Sequence, residues 1–462
     1  MARMGRWVGL GEAESVTAAA REEARSLARP LESEADLDPL LDRVAEARLV
    51  LLGEASHGTR EYYEWRARIS LRLLRDHGFQ FIAVEGDWPD CYALNRYVKG
   101  LPGAAPSAWD ALQAFTRWPT WMWANREVLA LMEELRGLNT DRDPEDRVGF
   151  YGLDVYSLWD SLAEVSRYLE EHQPGALQVA REAFRCFEPY HGDEQAYARA
   201  TTVVPMDCSE EVTGMLTALL RSRRGLEEDE DARFDAEQNA WAAANAERYY
   251  RAMMQGGPDS WNLRDTHMMD TLDRLLERHG PDAKAIVWAH NTHVGDARAT
   301  DMQGAGMTNL GQLARERHGL KDTVIVGFAG YRGHVIAGAW WGAPMHRMFV
   351  PEAPTATLEG LLHETGPRNQ LLLFDPESLD REALLRGAPL EQETLEGLAA
   401  PLGHRAIGVV YDPEHERYGN YVPTSAPLRY DALLFFDRTR ALRPLAMPVE
   451  AEEVPETYPY GE

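Results

Sequence analysis

The chain has 462 residues, with 75 acidic and 48 basic side chains and a formal net charge of −27. This negative balance argues against nucleic acids and anionic membranes as partners, because both attract positively charged protein surfaces. Hydrophobic residues make up 44% of the chain, an ordinary fraction for a protein with a large core. A chain of this length predicts a main domain with an insertion or a second domain.

The three cysteines, Cys91, Cys186 and Cys208, stand apart and show no CxxC spacing. This pattern predicts neither a disulfide framework nor a thiolate metal site. The first residues lack the continuous apolar segment of a signal peptide, and no apolar run reaches the length of a transmembrane span. We therefore expect a cytoplasmic protein without a membrane partner.

The first recognisable unit lies between residues 48 and 90. Leu49–Leu52 is a short apolar run typical of a strand, and residues 61–77 show helical spacing that ends at Gly78. Residues 79–84 form a second strand-like run. This β–α–β pattern predicts two parallel, neighbouring strands joined by a right-handed crossover.

Further strand-like runs follow along the chain. They are residues 148–153, 285–289, 324–328, 335–339, 371–374, 407–411 and 432–436. The segment from Gly330 to Gly333 predicts a hairpin between two of them. Residues 156–283 show one helical pattern after another and no strand. The predicted fold class is α/β, with a largely parallel central sheet, flanking helices and a helical insertion.

The predicted domain organisation has five parts. They are an N-terminal leader (1–34), the first part of an α/β domain (35–155), a helical insertion (156–283), the second part of the α/β domain (284–445) and an acidic tail (446–462).

Titratable side chains come directly after three of the predicted strands. Glu54 and His57 follow the first strand, Glu85 ends the second, and His290 and His293 follow the strand that begins at residue 285. The carboxyl ends of parallel strands meet at one edge of a sheet, and ligands bind there. We therefore predict an active site at the strand carboxyl ends that contains all five residues.

Other residues near these strand ends are predicted to contact the substrate, together with His293. Asp87 and Trp88 follow the second strand, and Asp154 ends the run at 148–153. Trp121 and Trp123 are large flat side chains that could line a ligand cleft or pack into the core.

Two water-based chemistries suit such a cluster. In the first, a neutral histidine deprotonates a water molecule that attacks a carbonyl group, while a carboxylate fixes the histidine tautomer. In the second, a divalent metal activates the water. The metal would be held by Glu54, His57, Glu85 and His290, which lack the helical H-E-x-x-H spacing.

Two further alternatives remain open. Ser56 could act as a nucleophile, but its flanking Gly53 and Gly58 do not form the G-x-S-x-G nucleophile elbow. A non-catalytic protein could also use the same Glu/His cluster to bind a metal or a small molecule. Turnover of a simple ester distinguishes the binding protein from the enzyme.

Several segments resemble those of the erythromycin esterase family. They are GEASHGTREYYEWRAR, AVEGDWPDCYALNRY, FYGLDVYSLWDS, SWNLRDTHMMDTL, VWAHNTHVGDAR and NLGQLARE. The likeness extends from about residue 49 to residue 445. It implies an α/β protein with a helical portion and a cleft between them. It also implies hydrolysis of an ester or lactone, with the macrolide erythromycin as the best-known substrate and antibiotic resistance as the consequence.

The resemblance also implies roles for individual residues. Matched by motif, His57 is the general base that activates water, without a covalent acyl-enzyme. The supporting residues are Glu54, Arg66, Glu85 and His290. Arg66 lies in the helix after the loop, from which it could reach a carboxylate or an oxyanion. We therefore predict an esterase that acts on a small-molecule ester or lactone and needs no cofactor or metal.

Overall fold

The computed structural model describes residues 16–190, 194–202, 207–221, 230–375 and 395–446. In these ranges the strands are β1 (Arg29–Pro30), β2 (Leu49–Leu52), β3 (Phe81–Asp87), β4 (Gly149–Asp154), β5 (Ala285–Trp288), β6 (Thr323–Gly338), β7 (Met345–Val350), β8 (Asn369–Leu373), β9 (Leu402–Arg405), β10 (Tyr421–Thr424) and β11 (Ala432–Arg438).

The α-helices in the same ranges are α1 (Ala18–Leu27), α2 (Asp38–Val44), α3 (Arg60–Asp76), α4 (Trp88–Lys99), α5 (Ala108–Leu112), α6 (Arg126–Leu138), α7 (Leu158–His172), α8 (Leu177–Phe187), α9 (Glu194–Thr201), α10 (Ser209–Arg221), α11 (Glu230–Met253), α12 (Asp259–His279), α13 (Asn291–Val294), α14 (Leu310–His318), α15 (Leu358–Thr365) and α16 (Ala426–Arg429).

A mixed sheet with a parallel centre forms the middle of the molecule. Its order is β1-β8-β11-β6-β2-β5-β3-β4, with β7 paired to β6. The six strands from β11 to β4 are parallel to their neighbours, whereas β1, β8 and β7 pair antiparallel. The predicted α/β fold class with a largely parallel sheet is confirmed.

Helices cover both faces of this sheet. Alternate residues of β2 enter different cores: Val50 and Leu52 pack with α3 and α6, and Leu49 and Leu51 pack with α12, α14 and α15. Successive side chains of a strand point to opposite faces, so a strand covered on both sides is apolar throughout. This is why β2 consists of four buried aliphatic residues.

The first two predicted strands are parallel but are not neighbours. β5 lies between β2 and β3 and pairs in parallel with both. The prediction of adjacent strands was therefore wrong. A crossover helix determines handedness but leaves room for a later strand to enter the sheet between the two it connects.

The hairpin predicted around Gly330 and Gly333 is also wrong. Residues Thr323–Gly338 form one continuous strand, and the chain reverses only after it, before β7. Gly333 lies where β6 packs closely against the backbone of Thr439. A Cβ at this position would lie 2.1 Å from the Thr439 carbonyl oxygen. The predicted strand at 407–411 forms only isolated bridges.

Between β4 and β5 the described residues form helices and no strand. Helices α7 to α11 share a separate hydrophobic core, and α12 returns to pack against the sheet.

Cys186 in α8 and Cys208 before α10 form a disulfide, with 5.8 Å between their Cα atoms. The prediction that the isolated cysteines offer no disulfide was wrong, because spacing along the sequence does not reveal which segments are neighbours in the fold. Disulfides are more common in oxidising compartments, so the cytoplasmic location remains only a prediction.

The ends of the chain lie partly outside the described residues. Of the predicted leader, residues 1–15 are outside, while α1 packs on the core and β1 pairs with β8. The predicted acidic tail is outside from residue 447 onward. No α-helix among the described residues is long and apolar enough to cross a membrane.

Candidate active site

The loop after β2 approaches its neighbours so closely that two of its positions require glycine. A Cβ on Gly53 would lie 2.1 Å from the side-chain oxygen of Asn291. A Cβ on Gly58 would lie 2.0 Å from the carbonyl oxygen of Ile336 in β6. Both distances are shorter than any van der Waals contact, so a side chain at either position would push the His57 loop away from Asn291 or from β6.

Glu54 links His57 of this loop to Arg66 in α3. One carboxylate oxygen accepts a hydrogen bond from Nδ1 of His57 at 2.8 Å, and the other accepts one from Arg66 at 2.8 Å. Arg66 is completely buried, and its guanidinium lies over the rings of Tyr63 and Trp288. The carboxylate thereby keeps the proton of the neutral His57 ring on Nδ1, so Nε2 is the nitrogen that can accept a proton. Among the described residues Nε2 has no hydrogen-bond partner.

The second histidine, His290, caps α13 at the end of β5. The backbone N–H of Thr292 donates to its Nδ1 at 3.2 Å, so the proton of the neutral ring is on Nε2. This Nε2 is buried and has no hydrogen-bond partner among the described residues. Burial, followed by the neighbouring His57, holds the pKa of His290 well below its usual value. The nearby Ala55 carbonyl raises the pKa of His290, but less than burial and His57 lower it, and the carbonyl is not in hydrogen-bond geometry with the ring.

The two histidine rings face each other across the site. Their centroids are 4.9 Å apart with 46° between the ring planes. Burial lowers the pKa of His57, but the charge of Glu85 and the bond to Glu54 outweigh it and raise the pKa above 6.5. The pair therefore consists of a more basic histidine and a neutral one that offers an N–H group.

Glu85 belongs to an ion-pair cluster beside this pair. It accepts hydrogen bonds from the backbone N–H of His290 at 2.8 Å and from Arg264 at 2.7 Å. Arg264 also binds both carboxylate oxygens of Asp154, at 2.9 and 2.7 Å. Burial raises the pKa of Glu85, but His293 and Arg264 outweigh it and hold the pKa well below its usual range. Glu85 is therefore a buried negative charge close to His57.

His293 lies on the other side of this cluster. Arg264 donates to its Nε2 at 2.9 Å, and its Nδ1 donates to Asp265 at 2.9 Å. The ring stacks on Trp261 with 4.5 Å between centroids. With both nitrogens engaged, His293 is suited to holding the cluster in place.

Asn291 connects the three central strands behind the site. Its backbone N–H donates to the Glu54 carbonyl at 2.8 Å, and its amide donates to the Phe328 carbonyl at 2.7 Å. The same amide donates to His404 at 3.2 Å, and His404 in turn donates to Glu359 at 2.7 Å. These buried bonds fix the strand ends that carry Glu54 and His290.

The predicted substrate-contacting residues lie in different surroundings. Asp87 pairs with Arg117, and Asp154 is in the ion-pair cluster. Trp88 stacks with both Tyr92 and Tyr151 and donates to Asp235 at 2.8 Å. Trp121 is 1% exposed in the core, and Trp123 packs against Gly86 and Tyr63. The structure thus brings neither Trp88 nor Trp121 to the histidine pair.

Three residues of the site were not selected from the sequence. Arg264 and Asp265 lie inside α12, and Asn291 lies between the two selected histidines. Arg264 and Asp265 do not follow a strand, so they carry none of the strand-end signal that marks the other site residues. The signal available for Arg264 and Asp265 was the family-like segment SWNLRDTHMMDTL, in which they are adjacent.

The geometry also bears on the alternative chemistries. No group of three or more His, Cys, Asp or Glu side chains with metal-binding geometry occurs in the described ranges. The carboxylates of Glu54 and Glu85 are already bonded to Arg66 and Arg264. The hydroxyl of Ser56 is hydrogen-bonded to Thr59, and no bond from it to a histidine occurs among the described residues.

The fold and the site together define an α/β protein whose clustered histidines and carboxylates lie at the carboxyl ends of a parallel sheet. The chain belongs to the erythromycin esterase family, whose model matches residues 74–439. The predicted family is confirmed, and with it the general class of hydrolase. The match assigns no role to any single residue, and it begins after Glu54, His57 and Arg66. The roles of all the predicted site residues therefore remain predictions.

Solved structures with the same fold cover nearly the whole chain. A succinoglycan biosynthesis protein is 20% identical with a TM-score of 0.70, over 92% of this chain and 97% of the other. A protein from Bacillus cereus is 19% identical with a TM-score of 0.66, over 92% and 98%. A mutant of the erythromycin esterase EreC in its open conformation is 16% identical with a TM-score of 0.60, over 92% and 97%. At these identities the likeness concerns the fold alone.

Proposed function

We propose that this protein hydrolyses a carboxylic ester or lactone, with His57 as the general base that activates water. One observation carries the proposal: Glu54 holds Nδ1 of His57, while Nε2 has no hydrogen-bond partner among the described residues and the ring faces the neutral His290. A histidine fixed on one nitrogen by a carboxylate can accept a proton on the other. The buried charge of Glu85 stabilises the imidazolium that forms.

The proposed reaction has two steps. In the first, Nε2 of His57 takes a proton from water while the water oxygen attacks the carbonyl carbon, giving a tetrahedral oxyanion. In the second, the bond between this carbon and the leaving oxygen breaks, and His57 returns the proton to that oxygen. The products are a carboxylic acid and an alcohol, or a hydroxy acid from a lactone.

In this scheme His290 stabilises the oxyanion. Its Nε2–H is a buried donor without a partner among the described residues, and a preorganised donor is most effective where negative charge develops in a water-poor site. Its lowered pKa keeps the ring neutral, so it donates this hydrogen bond without competing for the proton. Arg66 acts through Glu54, which it holds at 2.8 Å.

The proposal is tested with p-nitrophenyl acetate as a small ester and erythromycin as a macrolide lactone. Release of nitrophenolate and opening of the lactone ring are followed with the full chain and with its His57→Ala variant. Hydrolysis of either substrate that depends on His57 supports the proposal. Binding of erythromycin without turnover of any ester favours the small-molecule binding protein instead.

We expect the pH dependence of kcat/KM to show one acid limb above pH 6.5. His57 works as a base only when neutral, and its pKa is raised, so the rate falls as pH decreases through that raised value. In Glu54→Gln the limb should move to lower pH, because the variant loses the negative charge that helps to raise this pKa. A limb below pH 6.5, or one that Glu54→Gln does not move, contradicts this assignment.

Chelation should leave hydrolysis intact. The carboxylates of Glu54 and Glu85 are engaged by two guanidinium groups, whose positive charge disfavours a bound cation nearby. The protein is dialysed against EDTA, its metal content is measured, and hydrolysis of p-nitrophenyl acetate is compared before and after. Loss of activity that one equivalent of zinc or manganese restores would move the assignment to the metal mechanism.

A further inference from the structure

A cavity of about 180 Å³ lies between α4, which packs against the sheet, and the inserted helices α7 and α11. Tyr92 on α4, Tyr168 on α7 and Asp235 and Asn239 on α11 line this cavity, and none of its lining residues belongs to the candidate active site. Pockets form preferentially where two parts of a fold meet. The cavity, here called the Asp235 cavity, is therefore a candidate for a second binding site.

Asp235 is a buried carboxylate at this cavity. Its Oδ1 accepts hydrogen bonds from Nε1 of Trp88 at 2.8 Å and from the Asn239 amide at 2.9 Å. In the described ranges no hydrogen bond reaches its Oδ2, and no basic side chain forms an ion pair with it. Burial, which the Trp88 bond offsets only in part, raises the pKa of Asp235 to about 7. A cation bound to a buried carboxylate stabilises its charged form, so Asp235 indicates a site for a positive charge.

Asn239 places a second acceptor next to Asp235. Its side chain is completely buried and lines the cavity. The amide Nδ2 donates to the backbone carbonyl of Asp235 at 3.0 Å and to Oδ1 of the same residue at 2.9 Å, so the orientation of the amide is fixed. The other atom of the amide, Oδ1 of Asn239, has no hydrogen-bond partner among the residues that the structure describes. Two neighbouring acceptors are therefore suited to a ligand that carries N–H donors.

The two arginines that line the cavity are bonded to other groups. Arg96 donates to the Pro102 carbonyl at 2.5 Å, and Arg167 pairs with Glu164. The charges of both arginines lower the pKa of Asp235, but each does so less than burial and Glu164 raise it. The positive charge that would balance Asp235 is therefore left for a ligand to supply.

We propose that the Asp235 cavity binds a small organic ammonium ion. The N–H groups of the ion donate to Oδ2 of Asp235 and to Oδ1 of Asn239, and its carbon chain lies against the rings of Tyr92 and Tyr168. An ammonium group supplies three donors and a positive charge, and the faces of aromatic rings attract such a cation. The cavity is smaller than the pockets of about 300–1,000 Å³ that hold drug-sized molecules, so the ion is a small one. This inference does not depend on ester hydrolysis.

The probe is n-butylamine, which is protonated at about pH 8, and n-butanol is the neutral control of similar shape. Binding to the full chain is followed by NMR through the indole N–H resonance of Trp88, because this group donates to Asp235. Butylammonium should shift this resonance saturably and leave that of Trp109, which is 44% exposed in α5, in place. Each resonance is identified by its absence from the variant Trp88→Phe or Trp109→Phe. n-Butanol should bind at least about 10-fold more weakly, because it carries no charge.

The variant Asp235→Asn keeps the shape of the side chain and removes its charge. It should weaken butylammonium binding at least about 10-fold, the effect of losing a charge-assisted hydrogen bond. The matched control is Asp270→Asn, because Asp270 in α12 is 50% exposed and reports any general attraction of the amine to this acidic chain. Asp270→Asn should leave the Kd of butylammonium unchanged.

A Trp88 resonance that butylammonium does not shift overturns the inference, and so does equal binding of n-butanol. An unchanged Kd in Asp235→Asn, or equal weakening in Asp235→Asn and Asp270→Asn, overturns it as well. Circular dichroism shows whether Asp235→Asn folds. If it does not, the wild-type chain decides alone: a saturable Trp88 shift with butylammonium and binding of n-butanol that is at least about 10-fold weaker support the inference, and the lack of either overturns it.

Discussion

Replacing His57 by alanine should lower kcat for p-nitrophenyl acetate by about 10²–10⁴-fold, the usual contribution of a general base. His57→Asn should lose as much, because an amide cannot take the proton at neutral pH. His57 is buried, but it lies in a loop outside every helix and strand, so the variants should keep the fold. Circular dichroism and thermal unfolding check this beside the initial-rate measurements.

A matched control is His415→Ala. His415 is paired with Asp412, three residues earlier, at 2.8 Å, with the same spacing as His57 and Glu54. It is 71% exposed and outside the site, so its loss should not change the rate. If His57→Ala keeps a near-normal rate while His290→Ala has none, the base is on β5 instead.

Replacing Arg264 by glutamine should destabilise the protein by about 3–5 kcal/mol, the usual cost of leaving buried charges without their partner. Arg264 pairs with Asp154 and Glu85 and also donates to His293. The Arg264 side chain is only 12% exposed, so water can replace few of these hydrogen bonds in the variant. Hydrolysis should also fall strongly, because Glu85 loses the cation that holds it beside His57.

Urea unfolding of the full chain gives the change in free energy, and p-nitrophenyl acetate gives the rate. The control is Arg278→Gln in the same helix, whose partner Asp231 is 44% exposed. A surface pair of this kind contributes about 0–1 kcal/mol. A loss of stability no greater than that of the control would show that the ion-pair cluster does not depend on Arg264.

Much of the site could be predicted from the sequence because it depends on a local feature. Glu54, His57 and Glu85 come directly after or at the end of short apolar runs, and so do His290 and His293. Where a buried parallel strand ends, the chain returns to the sheet edge, and polar side chains there can face a ligand. Arg66 had no such signal of its own and was selected through the family resemblance.

Other predictions failed because the local pattern has more than one structural cause. Glycines mark turns, but they also occur where two backbones approach closely. At Gly333 the close contact with Thr439 is the cause, and the strand continues through it. Trp121 and Trp123 could line a cleft or a core by composition alone. Both are buried, and their contact with a substrate stays a prediction.

The sequence by itself determined the positions of β2, β4 and β5, the α/β class and the helical character of the described residues between β4 and β5, because hydrophobic periodicity is local. Only the tertiary structure decided which of these residues meet. β5 enters the sheet between β2 and β3 and so places His290 against His57. Arg264 reaches Glu85 across 179 residues of sequence. Such contacts follow from how strands and helices pack, and no short-range pattern encodes that choice.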